Sequence, residues 1–232
     1  MPQPYLLWVN SRPKPESGVD DDLWVKWYTE EHVPDLVNTK TAVRAAMYRE
    51  TFDFPLASKE HHPRKYLVLY QTDLEEPLRS KEYLDGVRHS SGLWTANKPT
   101  SEVGDFHARN YKLIQDYDPD GRGEIAPRFC VTVEMDPVDE ADFHKWYQDE
   151  HLDMLHKLPG YRRSSRYVIG PQTALMDGEP PKYLAIHELD GLAGMDSKEL
   201  HAANSTPWTV KHVNDSKVFI ARAWELLYSQ GF

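Results

Sequence analysis

The chain has 232 residues, of which 40% are hydrophobic, with seven Trp, thirteen Tyr and a net charge of −10. The charge excludes a nucleic-acid binder, which needs basic surface to meet phosphates, and it disfavours an anionic membrane surface. No apolar run approaches the ~20 residues of a membrane-spanning helix, so the expectation is a cytoplasmic protein that handles a small-molecule substrate and has neither nucleic acid nor membrane as partner.

In chain order, residues 5–10 are a short apolar strand, and 11–18, with Pro13 and Pro15, a loop. Asp20, Asp21 and Asp22 open a helix, since acidic residues there meet free N–H groups and the positive end of the helix dipole. It runs to about residue 36, with Pro34 expected to kink or end it. A strand comes next at 41–52, then a polar loop at 55–64 carrying His61 and His62. Residues 65–72, apolar on both faces, are a strand covered on both sides. A helix at 78–88, Trp94, and a strand at 104–114 complete a β-α-β-β-α-β order, the ferredoxin-like arrangement. The stretch 116–128 is rich in Asp, Gly and Pro and links the first half of the chain to the second. Asp116, Asp118, Asp120 and Gly121 mimic the start of a calcium loop, but its twelfth position is Pro127, where a bidentate Glu is required, so a solvated turn is expected. The one cysteine, Cys130, lies in an apolar strand at 129–135, where a buried, inert thiol is expected. A helix at 140–157 and a strand at 182–189 come next. The amino terminus lacks the basic and apolar regions of a secretion signal.

The second half repeats the first. Lys26-Trp27-Tyr28-Thr29-Glu30-Glu31-His32 recurs as Lys145-Trp146-Tyr147-Gln148-Asp149-Glu150-His151, an offset of 119 (145 − 26). Leu36/Leu155, Arg44/Arg163 and Tyr48/Tyr167 keep that offset. Lys65-Tyr66-Leu67 and Lys182-Tyr183-Leu184 correspond at 117, Trp94/Trp208 at 114 and Arg109/Arg222 at 113. With Trp24 or Phe143 as position i, the Trp, Tyr, Glu, His and Leu fall at i+3, i+4, i+7, i+8 and i+12, one face of an α-helix. A Glu-His pair on the inner face must find hydrogen-bond partners or border a cavity, because burying unpaired polar groups is costly.

Two β-α-β-β-α-β halves, each with an aromatic-Tyr-x-acid-Glu-His segment on its first helix, resemble a tandem EthD-like protein of the dimeric α/β-barrel superfamily. The resemblance spans nearly the whole chain. It implies an α+β fold in which two ferredoxin-like repeats, residues 1–117 and 124–232, form an intrachain pseudo-dimeric barrel, monomeric or as a homodimer. It also implies a cofactor-independent acid–base enzyme of secondary metabolism, a dehydratase, cyclase or isomerase acting on a carbonyl-bearing, polyketide-derived or aromatic intermediate. Two other readings remain open, a non-catalytic binding or stress-associated barrel and a haem- or oxygen-dependent oxidoreductase. The resemblance places His32 and His151 as bases. Val33-Pro34 keeps a proline that comes after the His in many relatives, whereas the second copy has Leu152-Asp153.

His suits proton transfer because it titrates near neutral pH. His187 stands where the first half has Tyr70, and His107 where the second has Ile220; both are candidate acids or bases. Tyr28 and Tyr147 are candidate donors to an enolate oxygen, with a plain core hydroxyl as the competing use. Trp27, Trp146, Tyr70, Trp94 and Trp208 are candidate substrate walls. Arg109 and Arg222 are candidate carboxylate or enolate binders, with pairing to the barrel's own acidic residues as the competing use. No metal or cofactor is expected: His-Glu-x-x-His, Cys pairs and Gly-rich phosphate loops are all missing.

Overall fold

The computed structural model describes residues 3–51, 62–94 and 97–232. Most of the loop 55–64, His61 included, lies outside them.

Eight antiparallel strands close into one barrel: β1 (Tyr5–Pro13), β2 (Arg44–Glu50), β3 (Tyr66–Thr72), β4 (Gly104–Tyr117), β5 (Phe129–Met135), β6 (Tyr161–Ile169), β7 (Tyr183–Leu189) and β8 (Phe219–Gln230). The order around it is β1-β3-β2-β8-β5-β7-β6-β4. Each half is thus a four-stranded ferredoxin-like sheet, β4-β1-β3-β2 or β8-β5-β7-β6, and the two sheets join by β2–β8 and β4–β6 hydrogen bonding. β4 outruns its expected end at residue 114 because residues as far as Tyr117 pair with β6 across the closure.

Side chains alternate between the barrel interior and the outer face that the helices cover. In the first half Leu7, Val9, Met47, Val68 and Tyr70 face the helices. Trp8, Tyr48, Tyr111, Tyr167 and Trp224 fill the interior with Leu6, Leu67, Leu184 and Cys130. Cys130 is a free, buried thiol whose ionisation is pushed up by burial. Buried ion pairs share this interior. Arg222 grips Glu50 through two hydrogen bonds of 2.7 and 2.8 Å, Arg163 meets Glu188 at 2.6 Å, and Arg109 pairs with Glu134.

The helix that opens each half is not a single α-helix. Asp20 caps α1 (Asp21–Trp27) by accepting from Leu23 N at 2.8 Å. A five-residue π-helical turn, Tyr28–His32, comes next, and then α2 (Val33–Asn38). The second half repeats this with α5 (Glu140–Trp146), a π turn Tyr147–His151 and α6 (Leu152–His156). Val33 N–H reaches back five residues to Tyr28 O, and Leu152 N–H to Tyr147 O. Pro34 does not cause the irregularity, because Asp153 occupies its place in the second copy and the turn is the same.

The expected helix at 78–88 is shorter, α3 (Lys81–Gly86), since Pro77–Arg79 forms a separate 3-10 turn and Ser80 caps α3 by accepting from Tyr83 N. α4 (Thr100–Val103) leads into β4, and α7 (Lys198–Ser205) and α8 (Pro207–Asp215) cover the second sheet. The Asp-rich link is a turn: the Asp118 carboxylate accepts from Arg122 N and Gly123 N at 2.7 and 2.9 Å. None of the described helices is long and apolar enough to cross a membrane.

Replacing Glu50 by Ala leaves the Arg222 charge buried without its carboxylate, and stability falls by about 3–5 kcal/mol. Replacing the pair together, Glu50→Leu with Arg222→Met, restores a good part of that loss. Urea unfolding midpoints at a constant slope measure both changes.

Candidate functional site

The π turn decides where the two helical histidines sit. Trp27 and His32 are five residues apart, too far to be neighbours on an α-helix, where i+3 and i+4 meet. The extra residue in the turn brings them together: the His32 ring stacks on Trp27 at 4.4 Å and 20°, and His151 on Trp146 at 4.3 Å and 29°. π turns of this kind concentrate at functional sites. The preceding glutamates do not orient the imidazoles. Glu150 accepts from the Thr206 hydroxyl at 2.7 Å, which ties the turn to the start of α8, and Glu31 lies 3.9 Å from Arg88.

Each π turn borders a cavity between helices and sheet. The amino-terminal cavity, about 320 Å³, is lined by Trp27, His32, Tyr70, Tyr83 and His89 over apolar β1 and β4 side chains. The carboxy-terminal cavity, about 280 Å³, is lined by Trp146, Tyr147, His151, His187 and Tyr161, with Val131, Leu155 and other apolar side chains around them. They share no lining residue. Both stand at the lower edge of ligand-pocket size, roughly 300 Å³. Asn204, Thr209 and Asn214 are the further polar groups of the second cavity.

Inside the carboxy-terminal cavity, His151 and His187 meet edge to face, 6.4 Å between ring centroids. His151 makes no hydrogen bond to the described residues, and its Nδ1 is sealed from solvent. His187 is held from behind: Tyr161 donates to Ser164 Oγ at 2.8 Å, and Ser164 Oγ lies 2.7 Å from His187 Nδ1. Ser164 is fully buried. Having accepted from Tyr161, its own hydrogen has His187 Nδ1 as the acceptor at hand, and a buried hydroxyl left without an acceptor is costly. The chain therefore places the His187 proton on Nε2. Burial holds both imidazoles neutral: it lowers His187 to about 4, helped by the charge of Arg166, and takes His151 well below the usual 6.5, helped by His187 and Arg166. Burial raises Tyr147 to about 12, under the Arg166 guanidinium 3.7 Å over its ring.

In the first half, burial lowers His32 to about 3, and the Tyr70 hydroxyl is buried without a partner among the described residues. The Tyr28 hydroxyl pairs with Ser11 at 2.9 Å and is not part of the cavity lining.

Further expected site residues lie elsewhere. His107 and Arg109 point into the barrel, not into a substrate cavity, because their places on β4 have the opposite parity to Phe106 and Ala108. Arg109 Nε donates to His107 Nε2 at 2.7 Å and its other end is taken by Glu134; Arg222 is taken by Glu50. Trp94 packs on Trp24 and Trp27, with its Nε1 donating to Lys98 O. Trp208 is bound at its Nε1 to Asp142, with Lys145 over its ring. Neither tryptophan lines its cavity. Tyr161 and Ser164 were not expected, although the offset of 119 pairs them with Ala42 and Ala45. Among the described residues, no group of three or more His, Cys, Asp or Glu is placed to hold a metal ion.

No protein-family model matches the chain. It is similar to core atranone cluster protein 1 of Stachybotrys chlorohalonatus (strain IBT 40285), at 26% identity over 205 residues that span 81% of this chain and 82% of that protein. Among solved structures it is similar to an anthrone oxidase-like protein, with a TM-score of 0.57 and 12% identity over 97% of this chain and 92% of that one. It is also similar to a chlorite dismutase variant from Candidatus Nitrospira defluvii, with a TM-score of 0.55 and 10% identity over 97% of this chain and 91% of that one. The fold is that of the dimeric α/β barrels.

Because His187 is neutral when folded and charges near 6.5 when unfolded, the unfolded chain binds more protons below that pH. Stability therefore falls on going from pH 7 to pH 5, by on the order of 2 kcal/mol from this one group. His187→Phe removes that share of the slope, read as melting temperature against pH.

Proposed function

We propose that the chain is a cofactor-independent acid–base enzyme of the EthD-like kind, a dehydratase, cyclase or isomerase. Its substrate is a small, largely apolar, carbonyl-bearing compound, polyketide-derived or aromatic, and the chemistry runs in the carboxy-terminal cavity. The observation that carries this reading is the pair of neutral imidazoles on one apolar wall, of which only His187 is tied down. A free neutral imidazole has a lone pair to offer; a tied one, with its proton fixed on Nε2, has a hydrogen bond to offer.

The two histidines then divide the labour. His151 takes a proton from the carbon beside the carbonyl. The C–H electrons move to form the enolate, and the charge that develops on oxygen is met by the His187 Nε2–H, a preorganised donor in a dry site. In a dehydration the His151 imidazolium returns its proton to the departing hydroxyl, so water leaves and a double bond forms with no change of oxidation state. In an isomerisation the proton returns to another carbon. Ser164, with Tyr161 behind it, holds the tautomer of His187, and Tyr161 also forms part of the cavity wall. The name of the Stachybotrys relative attaches that protein to an atranone cluster, and the similarity across four-fifths of both chains supports a role in tailoring a small molecule.

Incubation with 6-hydroxy-1-tetralone in deuterium oxide tests the reading by proton NMR. The expected result is enzyme-dependent exchange at the carbon beside the carbonyl, lowered roughly 10²–10⁴-fold in His151→Ala and about 10²-fold or more in His187→Phe, which lacks the donor. Ser164→Ala frees the tautomer and lowers kcat more than it raises KM. No exchange above buffer, or an unaltered rate in His151→Ala, overturns it, and dioxygen uptake coupled to turnover overturns the lyase or isomerase class.

For a substrate that is turned over, kcat/KM is expected to stay level from pH 7 down past 6.5. It falls only at lower pH, as His151 takes up a proton well below the usual imidazole range. A half-maximal point at 6.5 would show an ordinary solvated histidine instead. An absorption spectrum of the purified protein should show only Trp and Tyr; a Soret or flavin band overturns the cofactor-independent reading.

A further inference from the structure

The amino-terminal cavity has kept its volume and lost part of its chemistry. It has about 320 Å³ against about 280 Å³ in the other half. It retains the stacked Trp27–His32 pair, and His32 makes no hydrogen bond to the described residues. Yet three positions differ together. Ala42, Ala45 and Tyr70 stand where the second half has Tyr161, Ser164 and His187. Those three are the members of the hydrogen-bonded chain that orients the second imidazole. Their replacement removes the oriented imidazole donor and its support at once.

In their place stands a hydrogen-bonding group without a protein partner. Tyr70 is 1% exposed, lines the cavity, and has its hydroxyl buried with no partner among the described residues. Leaving such a group unpaired costs free energy that a ligand acceptor recovers. The phenol also holds its proton, because burial pushes its ionisation far up, so it donates and does not act as a base. His32, T-shaped to Tyr70 at 6.5 Å between ring centroids and with its Nδ1 sealed, supplies through Nε2 one further donor or acceptor. The walls around them are mostly apolar and aromatic, with Arg88, His89, Thr100 and Ser101 as the further polar groups.

We propose that the amino-terminal cavity is a second binding site for the same class of compound that the other cavity transforms: a compact, mostly apolar ring compound with a carbonyl to accept from Tyr70 and a hydroxyl to pair with His32. The ligand class rests on the acid–base reading of the other cavity; the existence of the second site rests on Tyr70 and the cavity itself. The chain then carries two ligands, one in each cavity.

Isothermal titration of 6-hydroxy-1-tetralone into the full chain tests this, with Tyr70→Phe and Ser164→Ala as the variants. The expected result is two equivalents bound. Tyr70→Phe weakens one of them by roughly fivefold, the share of one hydrogen bond, and Ser164→Ala weakens only the other. One equivalent that responds to Ser164→Ala and ignores Tyr70→Phe overturns the second site and leaves the acid–base reading standing. No binding overturns the ligand class on which both rest. Ligand-free Tyr70→Phe is expected to melt a few degrees higher than the parent, since it discards an unpaired buried hydroxyl; a lower melting temperature shows that the hydroxyl serves the fold, and overturns its assignment to a ligand.

Discussion

Closing eight strands into a single barrel removes the exposed sheet edges and leaves every side chain with two choices, inside or outside. Inside, the space is taken. Five large aromatics and three Arg–Glu pairs fill it, and each of the three arginines is held by a carboxylate of the barrel itself. Outside, the helices stand off the sheet, and the gap beneath them is where cavities open. The location of the proposed site thus follows from how the interior is packed, in which the strand arginines are paired with the barrel's own carboxylates.

Within that gap the π turn is the second constraint. A regular helix would carry His32 and His151 away from the tryptophan five residues earlier. One extra residue in the hydrogen-bonded ring lays each imidazole flat on an indole, where water is scarce and the ring stays neutral. The same device in both halves shows that the backbone irregularity is part of the scaffold. The halves differ on the sheet beneath it. Tyr161, Ser164 and His187 face one π turn and Ala42, Ala45 and Tyr70 the other. A hydrogen-bonded chain makes sense only when all its members are present, so a change of three together is more informative than any one of them.

Much of the architecture was legible because its signals are local and repeated. The β-α-β-β-α-β order comes from apolar patterning, and the offset near 119 aligns one half with the other. The strand at residues 129–135 has the bounds that its composition implies. The π turn was not legible: hydrogen-bond register leaves no residue signature, and α-helical arithmetic puts Glu31 and His32 on one face. Strand parity was the other blind point. When both faces of a strand are buried, polarity does not tell inside from outside, and a single residue separates His107 in the barrel from Ala108 beneath the helices. Tyr161 and Ser164 were visible as departures from Ala42 and Ala45, but a search for histidines alone passes over the hydroxyls that orient one.

The electrostatics of the carboxy-terminal cavity also constrain its chemistry. Burial that keeps an imidazole neutral makes it a weak base, because the same desolvation that disfavours the cation disfavours the product of proton transfer. A site built this way cannot remove an unactivated proton at a useful rate. It can remove one that the substrate has already made acidic, beside a carbonyl or between a carbonyl and an aromatic ring, provided that the negative charge forming on oxygen is met at once. In the proposed reaction the tied His187 would meet that demand through its Nε2–H, with 6.4 Å between its ring centroid and that of His151. On that proposal, neutral walls, a weak base and a fixed donor would select substrates by the acidity of one C–H bond, and this is why the proposed substrates are aromatic or polyketide-like ketones and not simple aliphatic ones.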